Sequence, residues 1–410
     1  MSDTADVVVI GGGVVGSACA YFLSKAGLHV HLIERDYFAS GTSRASHGGL
    51  ALMHNTPLEL RLGLASLQLW ENLSKELPFD IEYEVPGQLT VAMTEDELPA
   101  VYHQVEAMQA EGIECHFLDR QALLDFEPNV SPEAFGASFS PLEAAVQAIY
   151  VAPAMAEVAR RGGATLDCGA IVLRIDREQD GRVSGVMTSR GFISTRFVVN
   201  AAGLYSPQIG AMVGLRIPVI PRKGHVIVTE ALPYRLYRHK IQEAGLHKTH
   251  GSAFGAVTDR RQFGCAVTSE QKREGNIIMG ATREFVGFDK TTRIDVVATL
   301  AARAKRLVPK LANVRVLRVW AGLRPHTPDH LPIIGPVQEV GGFFVATGHE
   351  GLGTTLAPIT GKLITECVLG QQTSLSLEPL LLSRFPSDNL PDQFMEVVNE
   401  MSSPPVPTVG

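Results

Sequence analysis

A chain of 410 residues, 45% hydrophobic and 19% charged, has the composition of an ordinary globular protein and is long enough for two domains. Its formal net charge of −7 at pH 7 gives no reason to expect nucleic acid as a partner. Five scattered cysteines without a C-x-x-C pair favour buried thiols in a reducing compartment over a disulfide framework or a zinc site.

The first predicted elements lie in residues 7–35, "VVVIGGGVVGSACAYFLSKAGLHVHLIER". The apolar run could be a signal peptide or a membrane span, but the start "MSDTAD" is acidic and three consecutive glycines would weaken a spanning helix. Residues 7–10 are β-branched throughout, as in a parallel strand that is buried on both faces. A glycine turn, a helix and a second strand ending at Glu34 follow, so the segment predicts a strand–turn–helix–strand unit.

The glycines of this unit match G-x-G-x-x-G, a pattern that binds dinucleotides. The first glycine permits a tight turn, the second lets the backbone approach a pyrophosphate, and the third lets the helix pack closely on the strand. The helix N-terminus offers N–H groups to the phosphates, and Glu34 can accept hydrogen bonds from a ribose diol. The predicted contacts are Gly11, Gly13, Val14, Val15, Gly16, Glu34 and Arg35.

The fingerprint alone does not choose between FAD and NAD, but the segment "SGTSRASHGGL" at 40–50 favours FAD. It is small, hydroxylated and glycine-rich, and it can run beside a bulky extended cofactor. The alternative is an ordinary flexible loop. The predicted contacts here are Ser43, Arg44, Ala45, Ser46, His47, Gly48, Gly49 and Leu50.

Two distant segments fit the same cofactor. "RFVVNAAG" at 196–203 predicts a strand that runs into a close backbone turn, and 341–370 predicts a strand, a glycine-rich turn and a helix from about Thr354. A helix dipole aimed at the pyrimidine end of a flavin would stabilise negative charge on the reduced ring, which NAD does not need. The predicted contacts are Ala202, Gly203, Gly348, Gly351, Leu352, Gly353 and Thr354, with Val172 completing the set.

These motifs, with "IPVIPRKGHVIVTE" (217–230) and "VWAGLRPHTPDHLPIIGP" (319–336), resemble the D-amino-acid-oxidase-type family of FAD-dependent oxidoreductases over nearly the whole chain. Within the family the sequence is most similar to the dehydrogenase branch. That branch includes the hydrogen cyanide synthase flavin subunit, the smaller subunit of opine oxidase and D-hydroxyproline dehydrogenase. Glycine and sarcosine oxidases are more distant. The motifs are specific for the family and not for a substrate.

The resemblance implies an α/β plus α+β fold, with a Rossmann-like FAD domain assembled from discontinuous segments and a substrate domain built on a mixed antiparallel sheet. Strand-like alternation and turns between the flavin-contacting segments agree with that division. The expected FAD domain comprises residues 1–80, 146–215 and 321–385, the substrate domain 81–145 and 216–320, and the tail 386–410.

The resemblance also implies hydride removal from a carbon that bears nitrogen in a D-amino acid, imino acid or secondary amine. We expect a small carboxylate-bearing substrate, non-covalent FAD, a cytoplasmic location and no membrane span. Peripheral membrane association would come only through partners. Electrons would pass to a second flavoprotein or an iron–sulfur subunit. Open alternatives are an oxygen-using oxidase of glycine or sarcosine type, a flavin-binding subunit without turnover, and a nicotinamide dehydrogenase.

Arg324 is the predicted substrate ligand, because family members with "WAGLRP" hold the substrate carboxylate with its arginine and a guanidinium suits that role. A surface or ion-paired arginine is the alternative. His349 is predicted to orient the amine or tune flavin charge with a pKa near the working pH, unless the backbone satisfies it. His54 is a second predicted substrate contact, and His47 could tether the flavin covalently. We expect no metal site. Weaker candidates are Tyr205, His225 and His326.

Overall fold

The computed structural model describes residues 3–52, 56–245, 263–386, 394 and 396–399. The described strands are β1 Asp3–Thr4, β2 Val7–Ile10, β3 Val30–Glu34, β4 Gly49–Leu50, β5 Gln88–Ala92, β6 His116–Asp119, β7 Gly136–Ser140, β8 Ala144–Ala145, β9 Thr165–Cys168, β10 Val172–Arg177, β11 Val183–Thr188, β12 Gly191–Ser194, β13 Phe197–Asn200, β14 Ile220–Ala231, β15 Lys240–Glu243, β16 Gly264–Gln271, β17 Asn276–Arg283, β18 Val316–His326, β19 Ile333–Pro336 and β20 Phe343–Thr347. The described α-helices are α1 Val14–Lys25, α2 Thr42–Ala45, α3 Pro57–Glu76, α4 Leu98–Ala110, α5 Arg120–Phe126, α6 Ala148–Arg161, α7 Ser206–Ala211, α8 Ile294–Leu307 and α9 Gly353–Val368.

A six-stranded sheet in the order β19-β20-β13-β2-β3-β9 forms the first layer. Its strands are parallel except for the edge strand β19. Strand β2 is fully buried because its alternate residues serve two cores. Val7 and Val9 pack with helices α1 and α9, whereas Val8 and Ile10 pack toward the four-stranded sheet β1-β12-β11-β10. This explains why the strand has no polar face.

An eight-stranded mixed sheet in the order β18-β14-β17-β16-β15-β5-β7-β6 forms the second layer. Its long strands β14 and β18 pair antiparallel from Ile220 opposite His326 to Thr229 opposite Val316. Helix α8 covers one face of this sheet with Leu300, part of the same apolar cluster as Ile227 of β14. The opposite face is left to line a cavity between the sheets.

The two sheets confirm the predicted fold class, a Rossmann-like α/β layer joined to a mixed antiparallel sheet. The parallel strands come from residues 7–10, 30–34, 165–168, 197–200 and 343–347, so the first layer is assembled from segments far apart in the chain. Strand β18 belongs to the eight-stranded sheet, and the predicted boundary at residue 321 lies inside it.

Candidate active site

A cavity of about 1220 Å³ is lined by residues from both large sheets. It exceeds the roughly 300–1,000 Å³ that holds a drug-sized ligand, so it has room for an extended cofactor together with a substrate. Most of the predicted site residues line it. These are Gly11, Gly13, Val14, Val15, Glu34, Arg35, Ser43, Arg44, Ala45, Ser46, His47, Gly49, Val172, Ala202, Gly203, Arg324, Gly348, His349, Gly351, Leu352, Gly353 and Thr354.

The turn after β2 shows two different uses of glycine. Gly11 has φ +112°, and a Cβ there would lie 2.5 Å from the carbonyl oxygen of Ala201, so the turn and the segment after β13 touch backbone to backbone. Gly16 lies away from the cavity, and a Cβ there would lie 1.9 Å from the carbonyl oxygen of Gly11. Gly16 therefore packs helix α1 onto the turn, while Gly11 and Gly13 form the cavity wall.

Glu34 is 8% exposed and lines the cavity at the end of β3. Its Oε2 accepts from the Gly12 N–H at 2.7 Å and its Oε1 from the Asp36 N–H at 2.9 Å. These bonds fix the carboxylate while leaving acceptor capacity for a diol. Arg35 follows, with its guanidinium carbon 3.6 Å from the centre of the Tyr205 ring, and both line the same end of the cavity.

The loop that begins at α2 is held from two sides. The Val14 N–H, at the start of α1, donates to the Ser43 Oγ at 2.9 Å. The Thr42 hydroxyl donates to the Leu323 carbonyl at 2.6 Å, and the Trp320 Nε1–H donates to the Ala45 carbonyl at 3.2 Å. Strand β18 and the dinucleotide helix therefore position this loop together.

Two predicted contacts of the loop, Gly48 and Leu50, do not line the cavity. Gly48 has φ +90°, and a Cβ there would lie 2.0 Å from the Val146 carbonyl oxygen. Leu50 is fully buried in an apolar core. His47 does line the cavity and accepts the Gly49 N–H at Nδ1 at 3.1 Å. Burial, followed by the nearby charges of Lys240 and other cations, lowers the pKa of His47 to about 3, so the ring is neutral near pH 7.

A second helix N-terminus reaches the cavity at Gly353 and Thr354, the first residues of α9. Trp70 of α3 fixes this end, because its Nε1–H donates to the Thr354 carbonyl at 3.2 Å. His349 precedes it, with Nε2 2.9 Å from the Thr360 hydroxyl oxygen. Burial lowers the pKa of His349 to about 3. The imidazole is therefore neutral at the expected working pH, and its partner is a side chain instead of the backbone.

Arg324 projects from β18 over the neighbouring strand β14. A Cβ on Gly224 would lie 2.2 Å from its Nη1, so the guanidinium occupies the space that this glycine leaves. Nη1 donates to the Thr282 carbonyl at 2.9 Å. Within the described part of the chain, no acidic oxygen lies within 4.0 Å of the Arg324 side-chain nitrogens. Burial lowers the pKa of Arg324 to about 10, which leaves it a cation at neutral pH.

Sequence reasoning missed several cavity residues because their roles depend on strand pairing. Gly224 lies in "IPVIPRKGHVIVTE", a motif whose conformation the sequence does not show. It pairs with Gly322 of β18 and makes room for the side chain of Arg324, two residues further along that strand. Arg283 and Trp320 also line the cavity. Arg283 lies at the end of β17, and Trp320 lies in the "VWAGLRP" motif; the sequence gives no further sign of their position.

Two predicted histidines are not among the described cavity residues. His225 is fully buried beside Glu284, with its Nδ1 3.3 Å from the Glu284 Oε1, and it does not line the cavity among the described residues. His54 lies outside the described residues.

One described group has the ligand types of a metal site, which the sequence reasoning did not predict. The nitrogens of His326 and His330 and a carboxylate oxygen of Glu350 lie within 4.8 Å of one another. However, the Arg222 Nη1 donates to Glu350 Oε1 at 2.6 Å, so a guanidinium already neutralises the one carboxylate of the group. A divalent cation would meet that positive charge at close range. We therefore assign no metal to this group.

The residues present fit a flavin dinucleotide, since a backbone cradle, a ribose-binding acid and a second helix N-terminus meet in one cavity. A sequence profile described as "FAD dependent oxidoreductase" matches residues 6–367. The chain belongs to this family. FAD is its cofactor, and the residues that could hold it are the cavity-lining members of the fingerprint, of the 42–49 loop and of the 348–354 turn.

Similar proteins agree with this assignment over most of the chain. The hydrogen cyanide synthase subunit HcnC of Pseudomonas aeruginosa is 33% identical, covering 94% of this chain and 97% of that protein. Glycine oxidase of Geobacillus kaustophilus is 30% identical, and its crystal structure superposes with a TM-score of 0.83 over 94% of this chain and 100% of that one. The structure of L-proline dehydrogenase from P. horikoshii gives a TM-score of 0.85 at 25% identity, covering 95% and 100% of the two chains.

Among the described helices of the chain, none is both long and apolar enough to cross a bilayer.

Proposed function

We propose that this family member removes a hydride from a carbon bonded to nitrogen in a small amine that carries a carboxylate, and so forms an imine. D-amino acids, imino acids and secondary amines of hydroxyproline, opine or glycine type all have this chemistry. Bound FAD supplies the hydride acceptor. The observation that carries the proposal is Arg324, a partly buried cation in the FAD-binding cavity without an acidic partner within 4.0 Å among the described residues.

A partly buried charge without a counter-ion is costly, and a substrate carboxylate, which would also cover the exposed part of the guanidinium, would reduce that cost. The guanidinium forms two parallel hydrogen bonds with a carboxylate, which fixes the substrate's orientation. The Thr282 carbonyl already holds Nη1, and Gly224 lets the group lie flat on the sheet. Orientation of this kind is sufficient to present the substrate C–H bond without a general base. We assign the neutral His349 to positioning at the same cavity, through its contact with Thr360.

We further propose that the chain works as a dehydrogenase subunit with non-covalent FAD and passes electrons to a flavoprotein or iron–sulfur partner. Its similarity to HcnC, which is named as a subunit, supports this reading. Its similarity to glycine oxidase supports the second candidate, an oxidase that reoxidises the flavin with oxygen. Oxygen consumption by the isolated chain with its substrate separates the two. Acid precipitation that leaves the yellow colour in the supernatant would establish non-covalent FAD.

The proposal is tested by anaerobic titration of the purified yellow protein with amines and D-amino acids while the flavin absorbance is followed. Bleaching by carboxylate-bearing amines is the expected result. A matched set of amines without a carboxylate should bleach the flavin much more slowly. A protein that retains FAD yet is reduced equally well by amines without a carboxylate would contradict the assigned role of Arg324.

The Arg324→Met variant tests the same residue directly. We expect it to retain FAD and to lose roughly 100-fold in kcat/KM for the carboxylate substrate, because breaking a buried charge pair costs about 3 kcal/mol. Arg177→Met is the matched control, since Arg177 is exposed on β10 and does not line the cavity. The control should have wild-type kinetics.

A further inference from the structure

Strand pairing is interrupted beside the guanidinium that we propose to bind the substrate carboxylate. Strands β14 and β17 pair at Ile227 and Met279, and an isolated bridge joins Lys223 to Glu284, just after β17. Between these two pairs, three residues of β14 face four of β17. The extra residue makes a β-bulge, a feature that redirects groups next to active sites. Thr282, whose carbonyl accepts from the guanidinium, lies in this bulge.

His225 of β14 binds the bulge through two of its own groups. Its backbone N–H donates to the Thr282 Oγ1 at 2.8 Å, and its Nδ1 lies 3.0 Å from the same oxygen. A threonine hydroxyl has two acceptor sites, so backbone and side chain of one histidine can occupy both. Both residues are fully buried, which shields these bonds from solvent.

The contacts of the His225 ring fix its tautomer and its orientation. The Arg293 N–H donates to Nε2 at 3.2 Å, so Nε2 carries no proton. The proton of the ring therefore lies on Nδ1, which faces the Thr282 Oγ1 and, at 3.3 Å, the Glu284 Oε1. Glu284 is itself 2% exposed, and its Oε2 accepts from the Arg293 Nη1 at 3.1 Å. The ring is therefore a neutral donor held on both sides.

These contacts connect a buried histidine with the cavity. The hydroxyl of Thr282 is held by His225, and its carbonyl accepts from Arg324 Nη1 at 2.9 Å, so a rotation of Thr282 would move both contacts. Gly224, the residue before His225, leaves the space in which the guanidinium lies. Among the described residues, neither His225 nor Thr282 lines the cavity. Any effect of these two residues on a substrate must pass through Arg324.

We propose that His225 is a positioning residue for substrate binding, which holds Thr282 so that its carbonyl directs the Arg324 guanidinium at the substrate carboxylate. A guanidinium held in one plane offers two parallel N–H groups and loses less side-chain freedom when a carboxylate binds. The assignment rests on the proposed amine oxidation and deepens it, since it names the residue that supports the carboxylate site.

Two substitutions at His225 separate its two ring contacts. In His225→Asn the amide nitrogen can take the place of Nδ1 and donate to Thr282, whereas in His225→Gln the amide oxygen can take the place of Nε2 and accept from Arg293. We expect His225→Gln to raise KM for carboxylate-bearing amines roughly 5- to 10-fold, the effect of one lost hydrogen bond, with flavin content and kcat close to wild type. His225→Asn should retain most of the wild-type affinity.

His103→Gln is the matched control, because His103 is exposed on α4, and it should have wild-type kinetics. An amine without a carboxylate serves as the internal control, and its KM should not change in any of these variants. Equal losses in His225→Asn and His225→Gln, or an equal loss with the amine that lacks a carboxylate, would overturn the positioning role and leave His225 as a residue of the fold alone.

A second variant, Thr282→Val, keeps the carbonyl and the shape of the side chain but removes the hydroxyl that accepts from His225. Acetate is titrated into the oxidised holoenzyme, and binding is followed by the shift in flavin absorbance, which needs no turnover. Acetate should bind roughly 5- to 10-fold more weakly to Thr282→Val and to His225→Gln. The double variant should bind it no more weakly than either, because both changes break the same link.

This binding measurement distinguishes failure of the positioning role from failure of the proposed function. Weaker acetate binding in both variants would support the positioning role even if no amine reduced the flavin, a result that would sink amine oxidation alone. Amine oxidation with unchanged acetate affinity in both variants would sink the positioning role and leave amine oxidation standing. A wild-type protein that does not bind acetate would overturn both, since the site would then not recognise a carboxylate.

Discussion

The two sides of the cavity are built in different ways. We define the dinucleotide cradle as Gly11–Gly16, Glu34 and residues 42–49. In the cradle, backbone approaches backbone closely, and the carboxylate of Glu34 accepts from two backbone N–H groups. The arginine wall, which we define as Gly224, Arg283 and Arg324, is formed by charged side chains lying on a sheet.

The difference shows which kind of contact each ligand requires. A dinucleotide needs close backbone approach and N–H donors, which glycines supply locally and at short sequence separation. A small anionic substrate needs fixed positive charge in a dry site, which side chains from separate strands supply. Changes to the cradle should therefore affect the amount of bound FAD, and changes to the wall should affect the substrate while FAD remains bound.

The largest effect is expected for Gly11→Ala. A Cβ at this position would lie 2.5 Å from the Ala201 carbonyl oxygen, so the backbone of the cradle must move, and we expect loss of most bound FAD. Gly181→Ala is the matched control, because Gly181 also has positive φ, +87°, but no atom within 4 Å of its Cβ position. The absorbance ratio of flavin to protein measures both. Equal flavin content in the two variants would contradict the role given to the close backbone approach at Gly11.

A smaller effect, confined to the substrate, is expected for Gly224→Ala. The new Cβ would lie 2.2 Å from Arg324 Nη1, and a side chain can move aside where a backbone cannot. We expect wild-type flavin content with a rise in KM for carboxylate substrates of roughly 30-fold, part of the cost of a displaced charge pair. Slow oxidation of an amine without a carboxylate serves as the internal control and should not change. Flavin loss in this variant would contradict the separation of cradle and wall.

A still smaller effect, within the cradle, is expected for Glu34→Gln. The amide has one acceptor oxygen where the carboxylate has two, so one of the bonds from Gly12 and Asp36 must be lost. We expect FAD to bind roughly 10-fold more weakly, because a hydrogen bond to a charged group contributes about 1.5–3 kcal/mol. Equilibrium dialysis of the deflavinated protein with FAD measures this constant. Unaltered affinity would show that the carboxylate charge plays no part in cofactor binding.

The smallest effect is on stability and concerns the buried pair Glu143 and Lys240, of which Lys240 lies beside Gly49 of the cradle. Burial raises the pKa of Glu143 from 4.5 to about 7 and lowers that of Lys240. The folded state therefore retains a proton that the unfolded state releases between pH 4.5 and 7. The contribution of this carboxyl to the free energy of unfolding is therefore greatest below pH 4.5. It falls as the pH rises from 4.5 to 7, by an amount on the order of 1–3 kcal/mol.

Glu143→Gln cannot ionise, so the variant should lack this fall. The Tm of the holoenzyme is measured at pH 5 and pH 8 for both proteins. The Tm of the variant relative to that of wild type should be higher at pH 8 than at pH 5. Glu106→Gln changes an exposed position of α4, and its Tm should differ from that of wild type by the same amount at pH 5 and pH 8. If the Tm of Glu143→Gln also differs from that of wild type by the same amount at both pH values, the carboxyl titrates in the folded protein as it does in the unfolded chain.

Much of the cradle could be predicted from sequence because each part is local. Strand β2, the glycines and Glu34 lie within 35 residues, and the period of the apolar residues fixes their order. The contacts between Thr42 and Leu323 and between Ala45 and Trp320 join positions about 280 residues apart, and nothing local indicates them. The arginine wall was predictable only at Arg324, through its motif. Gly224 and Arg283 depend on which strands pair and in what register, which composition and periodicity do not determine.

Those contacts between the 42–49 loop and β18 join the cofactor side of the cavity to the substrate side. The strand that presents Arg324 also donates to and accepts from the loop that lines the cofactor's cavity. A change that displaces β18 would therefore displace the loop and the guanidinium together.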